Sequence, residues 1–94
     1  MQVSHTNELE DGRSHYRIGR ITAASNWRAA DAPGTEADQL AAMRALIREA
    51  EEYDADAIIG VDFEIDAIKR ADIDGSPLRR VAATGIAVKF AQAA

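Results

Sequence analysis

The chain contains no cysteine. That absence excludes disulfide staples, thiolate zinc sites and cysteine nucleophiles together, and it fits a reducing compartment. Aromatic residues make up only 5% of the sequence, too few for a series of base-stacking platforms. Positive charge is also short. The formal net charge is −5, so the clustered Lys and Arg that phosphate contacts need are missing, and nucleic acid is not an expected partner. No run approaches the ~18 apolar residues needed to span a bilayer. The opening MQVSHTNELEDG has neither the basic head nor the apolar stretch of a signal peptide. The expectation is a soluble, cytoplasmic protein with no membrane partner.

What is present is an ordinary globular balance, 47% hydrophobic and 29% charged, over 94 residues, enough for a single domain spanning 1–94. A domain of this size buries roughly 60–65% of the surface its unfolded chain exposes. With no staple to supplement a modest core, a partner subunit becomes the expected source of additional buried area.

Residues 1–14 are polar and aperiodic and read as an irregular arm or short edge strand. Residues 15–23, HYRIGRITA, alternate as a strand, and Gly19 within them marks a bulge or a close backbone approach. Residues 24–35 form a connector with a Pro33-Gly34 turn pair. Thr35 is placed to cap a helix, with Glu36 and Asp38 at the positive end of its dipole. Leu40, Met43, Ile47 and Ala50 recur at helical spacing, and the helix is expected to end near Tyr53, with Asp54 as a left-handed cap. A strand follows from Ala57 to Lys69. Asp74-Gly75 marks a hairpin turn, and a return strand from Arg79 to Phe90 begins after Pro77, which cannot donate to a ladder. Residues 91–94 are a tail.

The order strand, helix, strand, strand predicts an α+β fold: one helix packed on a three-stranded antiparallel sheet, a β-α-β-β subunit. One helix covers one face. Yet Ile58 and Ile59 point to opposite faces, as do Val81 and Ala82. The second face therefore asks for another cover, and a second copy of the chain is the expected one. Ile58, Ile59, Val61, Ile86 and Val88 are the candidate interface residues. Where the strand leaves the covered zone, Asp62, Glu64 and Asp66 turn that face to water or to a polar channel. Sheet edges left open by such a subunit are closed most simply by pairing between copies, which gives a ring.

Three segments resemble one family. "ADAIIGVDF" (Ala55–Phe63) is similar to the signature strand of the YbjQ-like family of small bacterial proteins. "TGIAV" (Thr84–Val88) resembles its last strand and "YRIGRIT" (Tyr16–Thr22) its first. The likeness spans about residues 15–90 in the family's order. It implies a dodecin-like, ring-forming subunit, assembled as a homopentamer or a decamer of two rings. The family's function is unknown and its domain carries the label "putative heavy-metal-binding". Asp54 stands where the family usually has glycine, Ile86 where it has threonine, and the connector Ala24–Thr35 is short.

The metal label can be weighed on the residues. Soft metals want thiolate and imidazole, and the sequence holds only two His and two Met besides its missing Cys. His5 and His15 sit in the polar arm without paired-ligand spacing, although a ring could gather one His from each copy. Met1 is terminal and Met43 lies on the helix's apolar stripe. Asp62, Glu64 and Asp66, with Asp72 and Asp74 at the hairpin tip, suit hard cations, but "DIDG" lacks the downstream ligand of a calcium loop. Cross-strand pairing with Lys69, Arg70, Arg79 and Arg80 is the simpler expectation. No metal site and no resident cofactor are assigned.

Ser4, Ser14, Ser25 and Ser76 lie in loops without a nucleophile elbow, and nothing places paired carboxylates in a pocket, so a nonenzymatic protein is expected. Trp27 stands apart, in the connector between the first strand and the helix. Dodecins stack a flavin on a tryptophan in a similar place, which implies an alternative reading: a small-ligand binding or storage protein with Trp27 as its stacking surface. The plainer reading is an aromatic that seals the helix end or a subunit contact.

Overall fold

A computed structural model describes residues 1–9, 12, 14–29, 35–69 and 77–91, with only the backbone described at Thr35, Ile68 and Lys69. The elements in chain order are β1 (Gln2–Val3), β2 (His15–Ala24), β3 (Arg28–Ala29), α1 (Thr35–Glu52), β4 (Ala57–Lys69) and β5 (Pro77–Phe90). No described helix is long and apolar enough to cross a membrane.

The fold is α+β, as the alternation and the one helical stripe require. The sheet, however, has five strands in mixed orientation, not three antiparallel ones. Its order is β1-β4-β5-β2, with β3 also pairing β5. β1 runs parallel to β4, with Gln2 beside Ala57 and Val3 beside Ile58. β3 continues the line of β2 along β5, setting Arg28 opposite Arg79. β1 is the short edge strand that the reading of residues 1–14 leaves room for, whereas β3 falls in the stretch read as a connector, because a strand of two residues shows no hydrophobic period. β5 also begins at Pro77, opposite Lys69, and not after it. The first residue of a strand is a position where the missing N–H is tolerated. The turn at Asp74-Gly75, the Pro33-Gly34 pair, and Arg70, Asp72, Ser76 and residues 92–94 lie outside the described residues, as does the capping side chain of Thr35.

Asp54 does adopt the left-handed conformation of a helix cap, at φ 57°. The N–H of Ala55 reaches back to Ala50 O at 3.1 Å and closes the helix end. At the other end the Asp38 carboxylate, only 4% exposed, takes a 2.6 Å bond from Arg28 Nε of β3. That pair ties the start of α1 to the far end of the sheet.

The helix buries Ala42, Leu46 and Ala50 against Ile21, Ile58, Val61, Val81, Ala83 and Ala87 of the sheet. Burying one such Leu or Ile side chain contributes roughly 1.5–3 kcal/mol. Ile59, Ala57 and Val88 face the other way and meet Leu9. The second cover is thus supplied, over this part of the sheet, by the chain's own N-terminal arm. Ile58, Ile59, Val61 and Val88 are buried within one chain, and Ile86 is half-buried.

A bulge explains how Ile58 and Ile59 both come to be buried while the rest of β4 alternates. The register steps from Ile59 opposite Ile86 to Asp62 opposite Thr84. Gly60 takes φ 61° within it. The extra residue reverses the parity of the strand. Ile58, Val61 and Phe63 therefore share the helix face, and Ile59 shares the outer face with Asp62, Glu64 and Asp66. The arm docks on this bulge: Gly60 N–H donates to Thr6 O at 2.7 Å, Val61 N–H to Ser4 O at 3.1 Å, and Ser4 N–H to Ile58 O at 2.9 Å. Gly60→Ala is expected to cost about 1 kcal/mol, since only glycine takes this φ without strain. Urea unfolding checks it; an unshifted midpoint would show that the bulge does not depend on Gly60.

Candidate functional site

The surfaces that neither helix nor arm covers are the β2 edge, the β4 edge beyond Val61, and the outer face beyond the patch under Leu9. α1 is about 27 Å long at 1.5 Å per residue. β5 is about 46 Å long at 3.3 Å per residue. The hairpin consequently overhangs the layered core, and the molecule extends 60 × 20 × 15 Å. Along β4 the outer face carries Asp62 opposite Thr84, Glu64 opposite Ala82 and Asp66 opposite Arg80. Arg80 Nε bonds Asp66 Oδ2 at 3.1 Å, the cross-strand pairing that the sequence suggests. Asp62 Oδ1 accepts from the N–H of Phe63 at 2.9 Å.

Trp27 lies on the same face. The Arg80 guanidinium sits 4.6 Å from its ring centroid, so one face of the indole is covered by a cation that Asp66 in turn holds. This constellation packs Trp27 into the overhanging end of the hairpin, and it gives no support to a flavin-stacking role.

The histidines are set apart. His5 Nδ1 lies 3.3 Å from Val61 O, with its ring tilted against Phe63 at 6.2 Å. His15 begins β2 opposite Phe90, beside a cavity of about 340 Å³ lined also by Glu8, Leu9, Gly12 and Ser14. Met43 packs against the helix-face core. Among the described residues no group of three or more His, Asp or Glu converges on a point where an ion could sit.

The serines serve the backbone. Ser25 is buried at the break between β2 and β3, where its Oγ accepts from Val81 N–H at 3.0 Å and its own N–H donates to Val81 O at 2.9 Å. Ser4 Oγ donates to Glu8 O at 2.8 Å and folds the arm on itself.

Against known families, residues 34–91 match the model of the YbjQ family, described as "Putative heavy-metal-binding". The chain belongs to that family. The matched part is α1, β4 and β5, the helix and the long hairpin on which the outer face is built. No curated protein matches the chain. The family's heavy-metal description does not fit the donor set that a single chain offers here. It holds no thiolate, its imidazoles are separated, and its one well-placed methionine is in the core.

The feature missed at the sequence level is the pair of polarised sheet edges. On β2 a second bulge lies between Arg17 and Gly19, which brings Arg17 (opposite Val88) and Arg20 (opposite Ile86) onto the same outer face. Read by simple alternation the two arginines fall on opposite sides. Gly19, which in the sequence marks a bulge or a close approach, stands at that register shift, and the shift is what carries Arg17 and Arg20 to one face.

Proposed function

We propose that this YbjQ-like chain is a nonenzymatic, homo-oligomeric subunit whose work depends on assembly, as a pentameric ring or a pair of such rings. The observation that carries this reading is the state of the sheet edges. The sheet order ends at β2 on one side. On the other side β1 and the arm occupy only the first third of β4, up to Val61. Long open edges are a standing liability in solution, and pairing between copies removes it. The two edges differ, so the contact is heterologous, the kind that forms a ring when the rotation between copies closes. A nonenzymatic role is supported by the engagement of Ser4 and Ser25 with backbone groups and by the pairing of Asp66 with Arg80.

Native mass spectrometry of the untagged protein tests the reading. The expected spectrum is a multiple of the 10.2 kDa chain mass. A spectrum of bare monomer at micromolar concentration would overturn it. The same spectrum reports any ion or small molecule that co-purifies in stoichiometric amount.

A further inference from the structure

We infer that the free edge of β4 in one copy lies parallel along the free edge of β2 in the next, with Ile65 seated in the depression beside Gly19. This deepens the assembly reading above and rests on it.

Three features bear on this contact. The first is shape. Ile65 is 62% exposed although it is apolar and centrally placed on β4, on the helix side of the sheet opposite Val81. At the other edge a depression of about 200 Å³ is lined by Ile18, Gly19, Arg20, Ile21 and Tyr53. Space beside residue 19 is open: a Cβ there would meet nothing within 4 Å. A branched aliphatic side chain matches such a hollow in size and polarity.

The second feature is charge. On the outer face Ile65 is flanked by Glu64 and Asp66, and Gly19 and Ile21 are flanked by Arg17 and Arg20. Arg17, Arg20 and Glu64 are exposed, and no described residue pairs with any of them. A copy placed parallel with Ile65 against Gly19 sets Asp66 beside Arg20 and Glu64 near Arg17, across the β2 bulge. Opposite charges directly across neighbouring strands attract, and like charges in the reverse arrangement repel. The acidic edge therefore selects the arginine edge and rejects a second acidic edge.

The third feature is extent. β4 is free from Asp62 to its end at Lys69, because Gly60 and Val61 already bond to the arm. β2 is regular from Gly19 to Ala24, after its bulge. The stretch of β4 from Ile65 onward can thus run beside the regular stretch of β2 from Gly19 onward. β2 and β4 both run antiparallel to β5 and are parallel to each other. A ring that continues one sheet into the next thus joins them parallel.

Because the native chain has no cysteine, the contact can be trapped. In a Gly19→Cys/Ile65→Cys double variant the two thiols of one chain are separated by β5 and cannot join each other. Mild oxidation of the assembled protein is expected to give a covalent ladder in steps of the 10.2 kDa chain. Gly19→Leu is expected to fill the hollow and to raise the concentration at which the complex dissociates at least tenfold, with an unchanged far-UV spectrum. Arg17→Glu and Glu64→Arg are each expected to weaken assembly, and their combination in one chain to restore it. Wild-type oligomers whose mass survives Gly19→Leu, with no ladder from the double cysteine variant, would overturn this contact and leave the assembly reading standing. A wild-type protein that is monomeric throughout would overturn both.

Discussion

Ile58→Asp is expected to leave the chain without a cooperative folded state. Ile58 is fully buried in the helix-face cluster with Leu46, Ala50 and Val61. Above it lies α1, which is anchored at one end by the Arg28–Asp38 pair and at the other by the turn at Asp54. A carboxylate at position 58 could reach water only by prising the helix from the sheet. Leaving it buried and unpaired costs several kcal/mol, against a total stability of about 5–15 kcal/mol for a domain. Thermal unfolding by circular dichroism should show no transition and the near-UV signal of Trp27 should vanish.

Ile59→Asp makes the useful contrast. Ile59 is equally buried, but its cover is Leu9. Here the new carboxylate reaches water when the arm lifts, so the loss is bounded by the arm's own docking free energy. The expected variant melts cooperatively at a lower temperature and is clipped by protease within its first residues. Equal collapse of the two variants would refute the separation of the sheet's two covers into a helix and a detachable arm. A wild-type melting curve for Ile58→Asp would refute the face assignment itself.

Gly85→Ala is the second large effect. Gly85 lies in β5 beside the β4 bulge, opposite Ile21 of β2. A methyl group at this position would come within 2.6 Å of Ile58 Cγ2 and 3.3 Å of the Ile59 carbonyl oxygen. The first contact is a β-branched, fully buried side chain and the second is backbone, so neither can swing aside. A loss of about 3 kcal/mol is expected, at the upper end of the range for overpacking. Ile58→Leu removes the offending branch, and the double variant should recover part of the loss, with a coupling energy of about 1 kcal/mol or more. Strictly additive penalties would mean that the strain lies elsewhere.

Much of this was legible in the order of residues. α1 follows from a 3.6-residue stripe and β5 from an alternation of large and small residues; Asp54 reads as a cap and the Asp66–Arg80 pairing as an ion pair. The strand from Ala57 to Lys69 is also read correctly in extent. Its internal logic is not, because pattern reading assumes an unbroken period of two, and one glycine with positive φ cancels that assumption midway. The docking of Leu9 on Ile59 escaped for a different reason. A single leucine in a polar arm has no periodicity, and only the folded sheet shows where it lands. The conjunction of Ile65, Gly19 and the flanking charges joins opposite edges of the sheet, and nothing local in either segment announces the other.

The parallel pairing of β1 with β4 has a temporal side. Gln2 and Val3 are made before α1, yet the backbone they bond to at Ala57 and Ile58 is made only after α1 is complete. Closing a loop of that length is entropically slow compared with forming a helix or hairpin. Residues 2 and 3 thus have no strand to pair with until β4 has been made. The polar character of the residues that follow them, with Ser4, His5, Thr6, Asn7 and Glu8 in succession, suits a segment that must stay dissolved through that interval.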